Sequence, residues 1–107
     1  MKNNYRKDIA LDYFVNKIRK RLGNQIKQFI LFGSRARRDN MQDSDYDCLV
    51  IVNKVSRPIK DIIDEEAGKA LYQYNAVISA FIIYEEKYRQ QPYNPLLMNI
   101  AKEGIAL

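Results

Sequence analysis

The chain has 107 residues, with 18 Lys and Arg against 13 Asp and Glu, a formal net charge of +5, a single cysteine and no histidine. The missing histidines exclude a Ser-His-Asp triad and histidine-ligated metals, and one cysteine excludes an internal disulfide and a cysteine zinc cluster. We expect one domain over residues 1–107. We also expect a cytoplasmic protein without membrane contact, because no apolar run reaches the roughly 18 residues of a membrane span and no signal-peptide block is visible.

The first predicted elements are a helix and a strand. Apolar residues recur at helical spacing between Lys7 and Leu22, and Gly23 follows as a helix stop. An apolar strand from Gln25 to Phe32 comes next and ends abruptly at a Gly-Ser pair. A turn is therefore expected at the end of the first strand.

This Gly-Ser turn has the features of a phosphate-binding site. Gly33 allows the backbone to approach a ligand closely and to take unusual dihedral angles. A helix that begins at Ser34 would direct its first N–H groups toward an anion. Arg35, Arg37 and Arg38 follow, and the guanidinium of any of them could bind a triphosphate, with exposed decoration of the helix as the alternative for Arg37 and Arg38.

A second apolar strand begins with a pair of acidic residues. Asp45 and Asp47 stand at the start of a strand expected to run to Asn53, with Ser44 directly before it. Because side chains alternate along a strand, both carboxylates should point to one side, roughly 7 Å apart at their Cα atoms. Their repulsion favours a divalent cation, and carboxylate oxygens suit Mg²⁺. Cys48, further along, is expected to be a buried apolar side chain.

The rest of the chain continues the alternation. A helix begins at Ser56 as N-cap and fades near Asn75, a third strand covers Ala76–Tyr84, and two helices follow, the last ending at Gly104. Four acidic residues of the first of these helices are expected to form a solvated face: Asp61, Asp64, Glu65 and Glu66.

The predicted order is α-β-α-β-α-β-α-α. The Gly-Ser turn ends strand one and the acidic pair begins strand two, so the two strands must be antiparallel for both motifs to face one ligand. The fold class is therefore α/β (α+β), with a small mixed sheet of about three strands flanked by helices.

The two motifs also carry a family resemblance, since ten residues separate Ser34 from Asp45. Gly-Ser, ten residues and Asp-x-Asp resemble the signature of the DNA polymerase beta-like nucleotidyltransferases. The sequences of residues 32–37 and 44–47 are most similar to those of the minimal nucleotidyltransferases of bacteria and archaea. These proteins are often antitoxin partners of HEPN-domain toxins. The resemblance implies Mg²⁺-dependent transfer of a nucleoside monophosphate, AMP from ATP, to a hydroxyl group on a partner protein.

The resemblance also assigns roles to the motif residues. Asp45 and Asp47 would be catalytic and would bind Mg²⁺. The nucleotide-binding residues would be Gly33, Ser34, Arg35 and Ser44. The partner would be a HEPN-type toxin, and a homodimer or hetero-oligomer would supply the substrate walls that so short a chain lacks.

Two positions depart from the family pattern. Arg38 stands where glycine is usual, and the third strand has no carboxylate, since Ser79 is its only polar side chain within 76–83. Active relatives carry a third acid on this strand, so two hypotheses stay open: an active transferase, or a catalytically weak or inactive antitoxin that keeps the nucleotide-binding fold. The positive charge suits a polyanion or a solvated surface, and no nucleic-acid-binding module is visible.

Overall fold

The computed structural model describes residues 8–37, 45–91 and 93–107. A 3₁₀ turn, Gly23–Gln25, follows the first helix. The helices are α1 Ile9–Leu22, α2 Ser34–Arg37, α3 Arg57–Tyr74, α4 Glu85–Gln90 and α5 Pro95–Glu103. The strands are β1 Ile26–Phe32, β2 Tyr46–Val52, β3 Ile78–Tyr84 and β4 Ile105–Ala106.

The strands form one mixed sheet in the order β3-β2-β1-β4. β1 pairs with β2 in antiparallel fashion, as predicted, and β2 pairs with β3 in parallel. A fourth strand corrects the expected count of about three: β4 is antiparallel to β1, opposite Ile30 and Leu31. With two residues it is too short to show the alternation from which strands are predicted.

Side-chain caps fix where the long helices begin. Asp8, Ser56 and Asn94 each accept a hydrogen bond from a backbone N–H group in the first turn of α1, α3 and α5. Asn75 ends α3 in the left-handed conformation, with φ of 54°. The predicted bounds therefore hold to within a residue or two.

Both faces of the sheet are buried along the central strand β2, because helices cover each of them there. Alternate β2 residues, Cys48 and Val50 among them, pack into a core with α1 and α3. The residues between them, Leu49 and Ile51, pack with Ile30 and α5 on the other face. This two-sided burial explains the unbroken apolar run of β2, and it assigns Asp47 to the α5 face.

Cys48 is fully buried, as predicted. Burial raises the pKa of its thiol to about 12, and the negative charge of Asp47 acts in the same direction. The thiol therefore stays protonated at neutral pH and has little reactivity.

The solvated acidic face of α3 was wrongly predicted at one position. Glu66 is 1% exposed, whereas Asp61, Asp64 and Glu65 are exposed. The Glu66 carboxylate accepts a hydrogen bond of 2.8 Å from Arg21, which joins α3 to α1. Its other oxygen, Oε1, has no hydrogen-bond partner among the described residues. A charged partner 45 positions earlier in the chain thus compensates the burial of this carboxylate.

No helix in the described part of the chain is both long enough and apolar enough to cross a bilayer.

Candidate active site

The turn after β1 packs directly against the carboxylate of Asp47. Phe32 is the register partner of Asp47 across the β1–β2 pair, so Gly33 turns beside that side chain. Gly33 has a φ of +78°, and a Cβ added there would overlap Asp47 Oδ2 and lie 3.3 Å from Asp47 Cγ. Glycine alone fits both the backbone conformation and the space. The structure thus brings Gly33 and Asp47 together, while their roles in binding and catalysis stay predictions.

The helix expected to begin at Ser34 is present as α2, a single turn of four residues. Within it, the N–H of Ala36 donates a hydrogen bond of 3.1 Å to the carbonyl of Gly33. So short a helix has little macrodipole, and the first N–H groups of a helix lack partners within it. An anion at this turn would therefore be held by the nearby backbone N–H groups.

The two acids differ in exposure. Asp47 lies within β2 and is half-buried, whereas Asp45 lies one residue before the strand and is exposed. β2 thus begins one residue later than predicted. Ser44, the fourth predicted nucleotide-binding residue, lies outside the described residues, as does Arg38.

The donors of the site fit Mg²⁺. The described residues hold no group of three or more histidine, cysteine or carboxylate side chains that could bind a metal. Asp45 and Asp47 would supply two carboxylates at most. Mg²⁺ commonly binds through one or two carboxylates and completes its shell with water and substrate phosphates.

Ser79 is the residue of β3 at which the sequence places the position of the family's third carboxylate. It is the register partner of Asp47 in the parallel β2–β3 pair, so the two side chains lie next to each other on one face of the sheet. A serine hydroxyl in that position can accept a hydrogen bond, but at neutral pH it cannot act as a carboxylate base. The assignment of Ser79 came from the family resemblance together with the polarity of β3, and it stays a prediction.

Sequence reasoning missed an aromatic pair that borders the site. The rings of Phe32 and Phe81 have centroids 5.6 Å apart in a tilted arrangement, and Phe81 is 44% exposed. Phe81 follows Ser79 by two residues and shares its face of the sheet. The spacing of two residues from Ser79 could have identified Phe81, because residues i and i+2 of a strand lie on the same face of the sheet.

Arg35 has a partner that the sequence did not suggest. Its guanidinium carbon lies 4.0 Å from the centroid of the Tyr46 ring, the geometry of a cation–π contact. Tyr46 stands between the two acids in the chain, and its side chain packs in the core on the α1 and α3 side of the sheet. The prediction that Arg35 binds nucleotide is untested by this contact.

Comparison with known proteins gives a consistent result. The sequence model of the family described as nucleotidyltransferase domain matches residues 11–107. A Methanocaldococcus jannaschii protein named as a proposed protein adenylyltransferase, MJ0604, is 35% identical over 98 residues, which cover 92% of this chain and 94% of the relative. A second such protein of that organism, MJ1305, is 30% identical over 93 residues, covering 84% and 63%.

Solved structures share the fold. A toxin–antitoxin crystallised with AMP-PNP superposes with a TM-score of 0.58 at 14% identity, over 87% of this chain and 68% of that one. A mutant of the toxin–antitoxin MntA–HpeT gives 0.57 at 18% identity, over 87% and 68%. A proposed nucleotidyltransferase of Sulfolobus solfataricus gives 0.51 at 12% identity, over 97% and 90%.

Proposed function

Because the chain belongs to the nucleotidyltransferase domain family and is of the minimal type, we propose that it transfers AMP from ATP to a hydroxyl group on a partner protein. The contact of Gly33 with Asp47 supports this proposal best, since a glycine turn of the kind that can approach a phosphate lies beside a carboxylate of the kind that can bind Mg²⁺. The names of the curated relatives, protein adenylyltransferases, favour AMP as the transferred group and a protein as its acceptor.

In this proposal, the turn at Gly33 and Ser34 seats the β- and γ-phosphates with backbone N–H groups, while Asp45 and Asp47 hold Mg²⁺. The metal, when bound, would stabilise negative charge on the α-phosphate and the departing pyrophosphate. The acceptor oxygen forms a bond to the α-phosphorus and releases its proton to solvent, while the bond from the α-phosphorus to the oxygen that bridges the α- and β-phosphates breaks and pyrophosphate leaves.

The sheet order suggests where the acceptor arrives. The attacking and leaving oxygens lie roughly in line in phosphoryl transfer. Since β2 lies between β1 and β3, Gly33 stands on one side of Asp47 and Ser79 on the other. With pyrophosphate leaving at Gly33, the acceptor enters over β3, where the half-exposed ring of Phe81 offers it an apolar surface.

We further propose that the acceptor belongs to a HEPN-type toxin, for which this chain is the antitoxin. The toxin–antitoxin identity of two structural neighbours supports this choice. The complex would form in the cytoplasm, where ATP and Mg²⁺ are supplied. A separate partner chain, or a second copy of this one, would complete the walls around the acceptor.

Incubation with α-labelled ATP, Mg²⁺ and the toxin of the neighbouring gene tests the proposal. Wild type should place label on the toxin, and an Asp45→Asn/Asp47→Asn double variant should not. Asp64→Asn is the matched control, because Asp64 is an exposed α3 carboxylate that pairs with Lys60 away from the site. Equal labelling by the double variant would contradict transfer at Asp45 and Asp47. If no protein, wild type included, labels the toxin, transferase activity itself is contradicted.

One observation favours a second function. With Ser79 beside Asp47, the described residues of β3 offer no carboxylate on the acceptor side to take a proton and bind a second metal ion. The alternative is therefore an antitoxin that binds Mg²⁺ and ATP without turnover. Saturable binding of ATP together with inhibition of the toxin, but no label on it, would select this reading.

A further inference from the structure

One tyrosine joins three elements at the end of the sheet that carries the site. Tyr46 is the first residue of β2 and is 6% exposed. Its hydroxyl donates a hydrogen bond to Asp8 Oδ2, and the guanidinium of Arg35 lies over its ring. The ring therefore links β2 to the start of α1 and to α2.

The α1 end of this link is itself fixed. Asp8 is the N-cap of α1, and its other oxygen, Oδ1, accepts a hydrogen bond of 3.0 Å from the N–H of Leu11. Both carboxylate oxygens of Asp8 are thus engaged in defined hydrogen bonds. The Tyr46 hydroxyl is consequently held by a group that a long helix keeps in place.

The α2 end bears on the phosphate turn. Arg35 belongs to the single turn of α2, which follows Gly33 directly. The N–H of Ala36, also in α2, donates a hydrogen bond to the carbonyl of Gly33. Gly33 contacts Asp47 on one face of β2, while Arg35 contacts Tyr46, whose side chain packs on the other face. The two contacts therefore hold the segment 33–35 against both faces of the start of β2.

We propose that Arg35 and Tyr46 form a clamp that holds the Gly33–Ser34 turn against Asp47. Arg35 is then a positioning residue that acts through the Tyr46 ring, and not a direct ligand of the triphosphate. The identity of the bound nucleotide rests on the proposed function, whereas the clamp itself does not. Its consequence is that a side chain pointing away from the site controls affinity for Mg²⁺ and ATP.

A double-variant cycle separates the clamp from direct phosphate binding. Arg35→Met and Tyr46→Leu should each raise the dissociation constant for ATP in the presence of Mg²⁺ by about tenfold, and the double variant should be no weaker than the worse single variant. Multiplied effects, which a direct ligand would give, overturn the proposal. Tyr46→Phe keeps the ring and should recover most of the affinity lost in Tyr46→Leu.

A matched control removes a nearby aromatic contact that involves neither Arg35 nor Tyr46. Tyr13 on α1 stacks on Tyr74 of α3, with ring centroids 5.5 Å apart, and neither residue belongs to α2 or β2. Tyr13→Leu should lower the melting temperature without changing the dissociation constant for ATP. An equal loss of affinity in Tyr13→Leu would show that Tyr46 acts through general stability and would overturn the clamp.

A measurement without nucleotide keeps the clamp testable if the proposed function fails. The backbone N–H of Ala36 closes α2 onto Gly33, so its hydrogen-exchange rate reports how firmly α2 is held. Tyr46→Leu should speed this exchange by about tenfold, and Tyr13→Leu should leave it unchanged. Wild type that binds no ATP would refute the proposed function alone, whereas unchanged Ala36 exchange in Tyr46→Leu would refute the clamp alone.

Discussion

Replacement of Gly33 by alanine tests the geometry of the site with one methyl group. At a φ of +78°, an L side chain costs about 1–2 kcal/mol in the folded state. In a protein of this size each kcal/mol lowers the melting temperature by about 4–8 °C. The added Cβ also overlaps Asp47 Oδ2, so that carboxylate must rotate away from the turn. A displacement of about 1 Å at a reacting centre costs about 100-fold in rate.

Two measurements separate these effects: the melting temperature, and the transfer rate well below the melting temperature of every variant. The matched control is Gly23→Ala, because Gly23 also has a positive φ, +56°, but a Cβ there meets nothing within 4 Å. We expect both variants to have a lower melting temperature than wild type, and only Gly33→Ala to lose transfer activity. A Gly33→Ala protein that transfers AMP at the wild-type rate would refute the close approach of turn and carboxylate as the basis of the site.

Three further substitutions or treatments have definite expected outcomes. Ser79→Asp puts a carboxylate beside Asp47 on the acceptor side, so the initial rate of label transfer should rise by about 100-fold, whereas Ser79→Asn should leave it unchanged. Gly68→Ala, at an exposed position inside α3 with nothing within 4 Å of a new Cβ, should raise the melting temperature by about 4–8 °C. Because the pKa of Cys48 is raised to about 12 in the fold, its contribution to the free energy of unfolding is complete below pH 9.0 and is lost as the pH rises toward 12. Denaturant titrations should therefore show wild type losing more stability than Cys48→Ala between those pH values.

Each of these expectations has a clear contrary result. An unchanged rate in Ser79→Asp would mean that proton removal by a carboxylate does not limit transfer. A lower melting temperature in Gly68→Ala would mean that a neighbouring group occupies the space beside the helix. Parallel stability curves for wild type and Cys48→Ala above pH 9.0 would mean that the thiol ionises in the native protein as it does when unfolded.

Local patterns predicted the parts of the site that depend on strand geometry. The position of Gly33 at a strand end and the alternation of β2 were enough to expect the turn and Asp47 in one place, and the pairing of Phe32 with Asp47 bears out that proximity. Ser79 was likewise identified by its polarity, and its register opposite Asp47 follows from parallel pairing. These features are readable because the alternation within each strand and the places of the motifs at the strand ends leave few ways to pair the strands.

Contacts between distant segments could not be read in this way. The stacking of Arg35 on Tyr46 depends on how α2 folds back toward β2, and no periodicity encodes that. Glu66 resembles the acids around it in sequence, and even its neighbour Glu65 pairs with the same Arg21 of α1, so only the packing of α3 against α1 distinguishes the buried residue. In both cases a charged side chain on one element meets its partner on another, so a pattern within a single element carries no signal.

The register of β1 against β2 fixes the shape of the candidate site independently of the residue on which the proposed turnover depends. Backbone pairing at Phe32 and the small size of Gly33 hold Asp47 in place, and neither depends on which side chain stands at position 79 of the neighbouring strand. Under the proposed function, a chain of this design exchanges a catalyst for a nucleotide sensor, or the reverse, by changing the side chain at position 79 of β3 while Gly33 and Asp47 keep their places.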